Sequence, residues 1–195
     1  MNNNKVMKFI KRTILTTLIL ISAGILFRGW FYRHLVTYKS IGLRTNYIAT
    51  DNKLIAYIDS IADNQTGLGI EQIVKLGLSI TSKQLNFTSD KNHTDPNKLI
   101  NSKTAHCVGY AAFFTTTCNY LLDKYNLTDT WSAKPQIGQL YFLGINIHKY
   151  FKSSFFKDHD FVIIENKKTR KVFAVDPTIN DYLCIDFVTY SNSER

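Results

Sequence analysis

The chain has 195 residues, of which 45% are hydrophobic and 13% aromatic, so it can form one domain with a core of its own. Its formal net charge is +9, yet residues 1–50 hold eight basic and no acidic residues, while residues 51–195 hold 16 basic and 15 acidic ones. A groove for phosphates would need the excess of positive charge on the folded part of the chain. The charge pattern therefore argues against a nucleic-acid partner and indicates a membrane instead.

The N-terminal region, residues 1–32, combines basic residues with an apolar segment. Residues 13–27 carry no charge and, with the apolar and aromatic residues on either side, reach the length of a membrane-spanning helix. A cleaved signal peptide is the alternative, because Ser22-Ala23-Gly24 loosely fits a cleavage site. We expect a single-pass membrane protein whose helix contacts lipid and whose domain lies on the extracytoplasmic side, or a secreted protein after cleavage.

The rest of the chain divides into a linker and one domain. Residues 33–50 are mixed and polar and predict a juxtamembrane linker, and residues 51–195 predict the folded domain. Apolar residues at helical spacing predict helices over 51–63, with Asp51 as the N-terminal cap, over 70–85 and over 107–125. Apolar stretches predict a strand over 136–148, a hairpin over 157–178 and a last strand near 182–188. Helices followed by an antiparallel sheet are typical of an α+β fold.

The predicted hairpin carries a polar residue at each outer end, His159 and Asp176. With the turn centred between Lys167 and Lys168, these two residues face each other directly, with Cβ atoms about 4.5–5.5 Å apart. An imidazole and a carboxylate fit that separation as a hydrogen-bonded pair. Such a pair is either structural or catalytic, and it becomes catalytic when a nucleophile reaches the other ring nitrogen.

Cys107 is the candidate nucleophile, because it lies where a polar segment changes into the apolar helix. With Thr104 as the helix cap, Cys107 falls in the first turn, where unpaired N–H groups and the helix dipole stabilise a thiolate. Cys118 and Cys184 are predicted to lie in the core, and three cysteines close no disulfide framework. His106 is a rival base, but adjacent helical residues point about 100° apart, so we expect it to face away from Cys107.

Three motifs together resemble the transglutaminase-like superfamily of the papain-like cysteine enzymes. They are Cys-x-Gly-Tyr-Ala at 107–111, His159 with Phe161 two residues later, and Asp176-Pro177-Thr178. The resemblance covers residues 50–190 and implies a papain-like core, in which N-terminal helices pack on an antiparallel sheet. The chain departs from the family in having Ala105 where glycine is common, and Phe161 where tryptophan is common.

The resemblance implies a cysteine hydrolase or acyltransferase that acts on amide bonds of a peptide or protein. The Cys107 thiolate would form an acyl-enzyme, while His159 moves the proton and Asp176 orients the imidazole. Gln84 is the best-placed polar side chain to help the Cys107 backbone N–H bind the oxyanion. Water as acceptor would give hydrolysis, and an amine would give transamidation.

Two other functions stay open. A non-catalytic domain on the same fold would bind a peptide or glycan in the cleft. An arylamine acetyltransferase would use the same triad but usually has a longer chain, and the neutral domain offers no basic site for coenzyme A. We expect no cofactor, and no metal site, because the sequence has no CxxC or HxxxH spacing. His34, His93 and His148 lie outside any such pattern and are expected at the surface.

Overall fold

The computed structural model describes residues 3–63 and 65–191, so the outer limits of the predicted N-terminal region and domain, residues 1 and 195, lie outside the described residues. The helices are α1 (Asn3–Leu26), α2 (Arg28–Leu35), α3 (Asn52–Ala62), α4 (Ile70–Gln84), α5 (Pro96–Ser102), α6 (Cys107–Lys124) and α7 (Pro177–Leu183). The strands are β1 (Val36–Leu43), β2 (Asn86–Phe87), β3 (Thr104–Ala105), β4 (Trp131–Phe142), β5 (Ile145–Asn146), β6 (His159–Asn166), β7 (Val172–Val175) and β8 (Thr189–Tyr190). Short 3₁₀ turns at Ile147–Tyr150 and Ser154–Phe156 connect β5 to β6.

Helix α1 is the N-terminal apolar helix that the sequence predicts. Its segment Met7–Leu26 is long and apolar enough to cross a membrane or to serve as a signal sequence. The large apolar side chains of this segment are exposed, so they form no part of the protein core. At about 1.5 Å per residue, 20 residues span about 30 Å, the thickness of a hydrocarbon core.

The three longest helices of the domain confirm their predictions. Helix α3 begins after Asp51, whose carboxylate accepts from the backbone N–H groups of Lys53 and Leu54, as expected of an N-terminal cap. Helices α4 and α6 lie within one or two residues of their predicted limits. Helix α6 is buried along most of its length, and it packs on α4 on one side and on β4 and β6 on the other.

The sheet is mostly antiparallel, with the strand order β7-β6-β4-β1-β8 and β5 paired to β4. Only the β1–β8 pair of this sheet is parallel among the described residues. One face packs on the helices and builds the main core, and the other carries a smaller apolar cluster. Buried members of that cluster are Tyr38, Phe161, Ala174, Ile185 and Val188. The fold is thus α+β with helices packed on a sheet.

The predicted linker at residues 33–50 contains a strand, β1. Val36–Leu43 pairs with β4 along its length and with β8 at Thr37 and Tyr38. The segment mixes polar and apolar residues, and only Tyr38 in it is fully buried, so its own pattern gives no strand signal. Pairing with the long strand β4, about a hundred residues later in the chain, holds it in the sheet.

The register of the hairpin differs from the predicted one. Val162 pairs with Val175 and Ile163 with Ala174, which centres the turn one residue further along the chain than predicted. The cause is the turn itself, because the Asn166 side chain accepts from the backbone N–H groups of two turn residues, at 2.8 and 3.0 Å. His159 and Asp176 are therefore not directly opposed. They lie diagonally, but on the same face, because a shift of two positions keeps the side-chain alternation.

Two further strand predictions differ from the structure in their limits. The strand expected at 136–148 is present, but β4 begins earlier, at Trp131, and ends at Phe142, before a turn where Leu143 and Gly144 have positive φ. The last strand expected near 182–188 lies later in the chain, as β8 (Thr189–Tyr190), and residues 182 and 183 belong to α7, because Asp176 caps a helix that has Pro177 at its first position. Cys184 follows the last residue of α7, has a left-handed backbone conformation and is exposed, so the prediction of a core position for Cys184 is wrong.

Candidate active site

Cys107 occupies the first position of α6, one residue after the cap. The cap is His106 and not Thr104, which lies in β3. The ring Nδ1 of His106 accepts from the backbone N–H of Val108 at 3.3 Å. Cys107 thus has the position that the sequence predicts, in the helical turn whose backbone N–H groups lack partners within the helix.

Gly109 lets the start of α6 lie close to its neighbours. A Cβ atom at this position would lie 2.7 Å from the Cβ of Ala105 and 3.2 Å from a methyl group of Leu99. Cβ atoms essentially never come within 2.7 Å of another carbon atom in folded proteins, so a larger residue would push α6 away from Ala105. The glycine of the Cys-x-Gly motif therefore fixes the depth at which Cys107 lies.

His159 and Asp176 form the hydrogen-bonded pair that the sequence predicts. Nε2 of His159 lies 2.6 Å from Oδ2 of Asp176, whose side chain is fully buried. The other carboxylate oxygen, Oδ1, accepts from the backbone N–H groups of Thr178 and Ile179, at 3.0 and 3.1 Å. Burial disfavours a charged imidazole, but the carboxylate of Asp176 outweighs it and raises the pKa of His159 well above its ordinary value.

Cys107 lies within hydrogen-bonding reach of His159, so the structure brings the three predicted residues together. Nε2 of His159 faces Asp176, which leaves Nδ1 for the sulfur. Burial of the thiol acts to raise its pKa, but hydrogen bonds from His106 and His159 and the positive charge of His159 lower the pKa of Cys107 to about 7. Cys118 is fully buried with no such partners, and burial raises its pKa to about 12.

His106 faces Cys107, contrary to the prediction. The angle of about 100° between neighbours holds only inside a helix. His106 is the cap, with an extended backbone at φ −96° and ψ −177°, and its ring turns back over the helix start. The hydrogen bond to the Cys107 sulfur raises the pKa of His106, although burial opposes this. Two imidazoles thus contact one thiol.

An ion pair that was not predicted lies beside the thiol. Arg44 donates to both carboxylate oxygens of Asp160, at 2.8 and 3.1 Å, and to Asp158 at 3.5 Å. The Asp160 side chain is fully buried on the sheet face opposite to His159, and its backbone N–H donates to the Cys107 sulfur. Arg44 directly follows β1. The sequence predicts residues 33–50 to be a linker, and it therefore gives Arg44 no partner.

Gln84, the predicted oxyanion residue, is not brought to Cys107. Its side chain is buried at the end of α4, and its amide nitrogen donates to the carbonyl of Ile100 at 2.9 Å. Among the contacts of the described residues, none joins Gln84 to the thiol. The backbone N–H of Cys107 keeps its predicted place at the helix start.

A cavity of about 220 Å³ opens on the thiol and the imidazole. Cys107 and His159 lie on its surface, and Phe87, Phe151, Phe155 and Phe156 supply aromatic walls. His148 also lines it and is 7% exposed, so the expectation of a surface position for His148 is wrong. Three of the four phenylalanine walls, Phe151, Phe155 and Phe156, come from the connection between β5 and β6.

Within residues 3–63 and 65–191, no group of three or more His, Cys, Asp or Glu side chains is arranged to hold a metal ion. Comparison of the chain with protein-family models, with curated proteins and with solved structures gives no match. The geometry of the site is therefore the basis on which a function can be inferred.

Proposed function

We propose that this chain is a membrane-anchored cysteine hydrolase or acyltransferase of the transglutaminase-like type. The observation that carries the proposal is the continuous contact from the Cys107 thiol through His159 to the buried carboxylate of Asp176. A thiol with its pKa lowered to about 7 at a helix start, next to an oriented imidazole, is the arrangement needed for nucleophilic catalysis.

A papain-like core is part of the proposal. Its support is the placement of the three residues, with Cys107 at the start of the buried helix α6, His159 at the start of β6 and Asp176 directly after β7. Helix α6 packs on β6, and the hydrogen bond between Cys107 and His159 joins the start of the helix to the start of the strand. The same order along the chain is found in the motifs that resemble the family.

In the proposed reaction, the Cys107 sulfur attacks the carbonyl carbon of an amide in a peptide or protein. His159 holds the thiol proton and gives it to the leaving amine, and Asp176 keeps the ring oriented and stabilises its charge. The backbone N–H of Cys107 stabilises the oxyanion at the helix start. Water or a second amine then attacks the thioester and releases the acyl group, which regenerates the thiol.

The N-terminal helix supports a location at a membrane. Met7–Leu26 would contact lipid, and the domain would lie on the extracytoplasmic side. Helix α2 connects α1 to the domain, where Arg28 donates to the carbonyl of Leu183 and the hydroxyl of Thr189 donates to the carbonyl of Arg33 at 2.6 Å. The site would therefore lie on a domain held close to the bilayer surface.

One observation favours the second candidate, a domain that binds a ligand without turning it over. Cys107 is only 7% exposed, so a peptide carbonyl would have to enter the cavity to reach it. A binding domain would keep the same cavity but would form no acyl-enzyme. The two candidates thus differ in whether the sulfur becomes acylated.

Acylation of Cys107 tests the proposal. The full chain in detergent micelles is mixed with 4-nitrophenyl acetate, and the release of 4-nitrophenolate and the acetylation of each cysteine are followed by absorbance and mass spectrometry. We expect a burst of nitrophenolate with acetyl on Cys107, and faster turnover when methylamine is added as acceptor. Cys184→Ser should retain the burst, and Cys107→Ala should lose it. A burst that survives in Cys107→Ala, or no acetyl on Cys107 in the unaltered chain, would contradict the proposal.

A further inference from the structure

The end of the domain next to the membrane helix carries exposed apolar side chains. Two of them, Trp30 and Phe31, belong to α2, and three, Phe142, Leu143 and Ile145, lie at the turn between β4 and β5. All five are between 44% and 65% exposed. We call these five residues the apolar end surface. Large apolar side chains that lie together in solvent mark a surface that contacts another molecule or a membrane.

Backbone hydrogen bonds join the two parts of the apolar end surface. The backbone N–H of Leu143 donates to the carbonyl of Leu35, the last residue of α2, at 2.8 Å. Val36, which directly follows α2, pairs with Phe142, and Phe142 pairs with Ile145 across the turn. The β4–β5 turn therefore lies against the end of the helix that follows the membrane segment.

Exposed basic residues accompany the apolar ones. Residues 28–36 and 139–157, which supply the apolar end surface and the connection after it, contain five basic residues and no Asp or Glu. The five exposed basic side chains are those of Arg28, Arg33, Lys149, Lys152 and Lys157. Within residues 3–63 and 65–191, none of them forms an ion pair with a carboxylate. Apolar and basic side chains side by side match the apolar and anionic parts of a phospholipid surface.

The proposed catalytic site lies at the same end of the sheet. His159 pairs with Gly138 in β4, and Leu140, two positions later, lines the cavity beside Cys107. Phe142 is two positions later again, so all three residues of β4 lie on one face of the strand. At about 3.4 Å per residue, Phe142 is about 14 Å from Gly138. The wall of the cavity therefore extends along β4 toward the apolar end surface.

We propose that the apolar end surface lies on the bilayer that α1 spans, with its side chains among the lipid headgroups and the nearby basic residues on anionic phosphates. Helix α2 begins at Arg28, two residues after α1 ends at Leu26, so this surface is continuous with the membrane segment. Aromatic residues such as Trp30 are enriched at this depth of a membrane. The inference rests on the proposed function in one respect, that α1 spans a membrane, and it requires no reaction at Cys107.

A fluorescent label at position 145 tests the contact. The full chain carries Ile145→Cys together with Cys107→Ala and Cys184→Ser, so that the fluorophore NBD reacts at position 145, because the remaining Cys118 is fully buried. The labelled chain is reconstituted in vesicles of phosphatidylcholine and phosphatidylglycerol that contain a spin-labelled phosphatidylcholine. We expect a blue-shifted emission that the lipid spin label quenches strongly.

Val172→Cys in the same background is the matched control. Val172 is an exposed apolar residue like Ile145, but it pairs with Glu165, near the turn at the other end of the sheet. Its label should emit as in water, and the lipid spin label should quench it severalfold less than the label at position 145.

A further pair of variants tests the chemistry of the contact. Leu143→Glu places a negative charge beside anionic headgroups, so it should lower the quenching at position 145 severalfold. Ile48→Glu is its control, because Ile48 is also exposed but lies beside Trp131 at the other end of the sheet. It should leave the quenching unchanged. Vesicles of phosphatidylcholine alone should reduce the quenching, because the basic residues then lose their anionic partners.

Washing the vesicles with alkaline carbonate separates this inference from the proposed function. If the chain stays in the vesicles but the labels at positions 145 and 172 are quenched equally, the inference is overturned and the membrane anchor stands. A chain that leaves the vesicles overturns both. A blue-shifted label at position 145 that the lipid does not quench means that a second copy of the chain covers the surface, which also overturns the inference. Strong quenching at position 145 supports it even if Cys107 forms no acyl-enzyme, in which case only the proposed reaction fails.

Discussion

The hydroxyl of Tyr38 donates to Oδ2 of Asp176 at 2.7 Å, the same oxygen that pairs with Nε2 of His159. Tyr38 belongs to β1 and is fully buried, and its own oxygen lies 2.5 Å from the hydroxyl of Tyr32 in α2. Both carboxylate oxygens of Asp176 thus have hydrogen-bond partners: Tyr38 and His159 at Oδ2, and two backbone N–H groups at Oδ1. A line of hydrogen bonds runs from the helix that follows the membrane segment to the imidazole beside Cys107.

Replacing Tyr38 by Phe should weaken the fold and the site together. The change removes a hydrogen bond to a buried carboxylate, and bonds to charged groups contribute about 1.5–3 kcal/mol. We expect the free energy of unfolding to fall by about 2 kcal/mol, and acylation of Cys107 to slow severalfold because Asp176 orients His159 less firmly. Chemical denaturation and acylation kinetics measure the two effects.

Tyr32→Phe is the matched control for Tyr38→Phe. It removes a phenol hydroxyl from the same line, but one that has no contact with the carboxylate. Its effect on acylation should be much the smaller of the two. Equal losses in both variants would mean that the whole line, and not the contact with Asp176, sets the rate.

Cys107 should be alkylated at lower pH than an ordinary thiol. Burial raises its pKa, but the hydrogen bonds from His106 and His159 and the charge of His159 lower the pKa to about 7. The thiolate fraction therefore rises through pH 7, where a reference thiol of pKa about 8.5 is still almost wholly protonated. Each cysteine is exposed briefly to iodoacetamide at pH values between 5 and about 10, and its alkylation is followed by mass spectrometry. The alkylation midpoint is the pH at which the rate for that cysteine is half of its maximum.

His159→Ala tests the cause of this shift. Loss of the imidazole removes a hydrogen bond and a positive charge, so the pKa of Cys107 should rise by at least one unit, about 1.4 kcal/mol, and the midpoint should move to higher pH. Alkylation of the exposed Cys184 should not change between the two proteins. A midpoint of Cys107 that stays near pH 7 without His159 would show that the pair with Asp176 is structural only.

His106 should act on the thiol and on the helix in separable ways. His106→Asn removes the imidazole but leaves a side chain that caps helices well, while His106→Ala removes both contributions. Each variant should raise the pKa of Cys107, because each loses the hydrogen bond to the sulfur. Only His106→Ala should also lower the free energy of unfolding, by about 0.5–1 kcal/mol. Alkylation midpoints and denaturant titrations distinguish the two effects.

The parts of the site that could be predicted from sequence are those carried by local signals. Cys107 lies at a change from polar to apolar residues, which indicates a helix start. Asp176 precedes a proline, which indicates a turn or a helix start. The contact of His159 with Asp176 was also predictable, although the register was wrong, because an error of two positions leaves both side chains on one face.

Tyr38 and Arg44 could not be predicted, because their roles depend on partners more than a hundred residues away. Nothing in the neighbourhood of either residue indicates a strand, and the pairing with β4 decides it. Burial of the Asp160 carboxylate could not be predicted either, because its partner Arg44 lies in a segment that was predicted to be a linker. His148 likewise gave no signal, because its environment is made by the connection that folds over the cavity.

Arg44→Ala should make the stability of the protein depend on pH around Asp160. Burial raises the pKa of Asp160 above its ordinary 3.8, and the ion pair with Arg44 offsets part of that rise. Without Arg44 the pKa of Asp160 should rise further. A carboxyl whose pKa is raised by folding favours the folded state while protonated, below its unfolded pKa, and that contribution is lost as the pH rises through the folded-state pKa.

The variant should therefore be destabilised at pH 7.5 and recover part of the loss as the pH falls through the raised pKa. Arg44 is 32% exposed, so we expect a loss at pH 7.5 of about 2–3 kcal/mol, below the range for a fully buried pair. Thermal unfolding of Arg44→Ala and of the double variant Arg44→Ala/Asp160→Asn at several pH values measures this. The double variant has no carboxyl at the buried position, so it should lose the pH dependence. An equal dependence in both proteins would place its origin in Asp158 or elsewhere, and the buried ion pair beside the thiol would then contribute little to the fold.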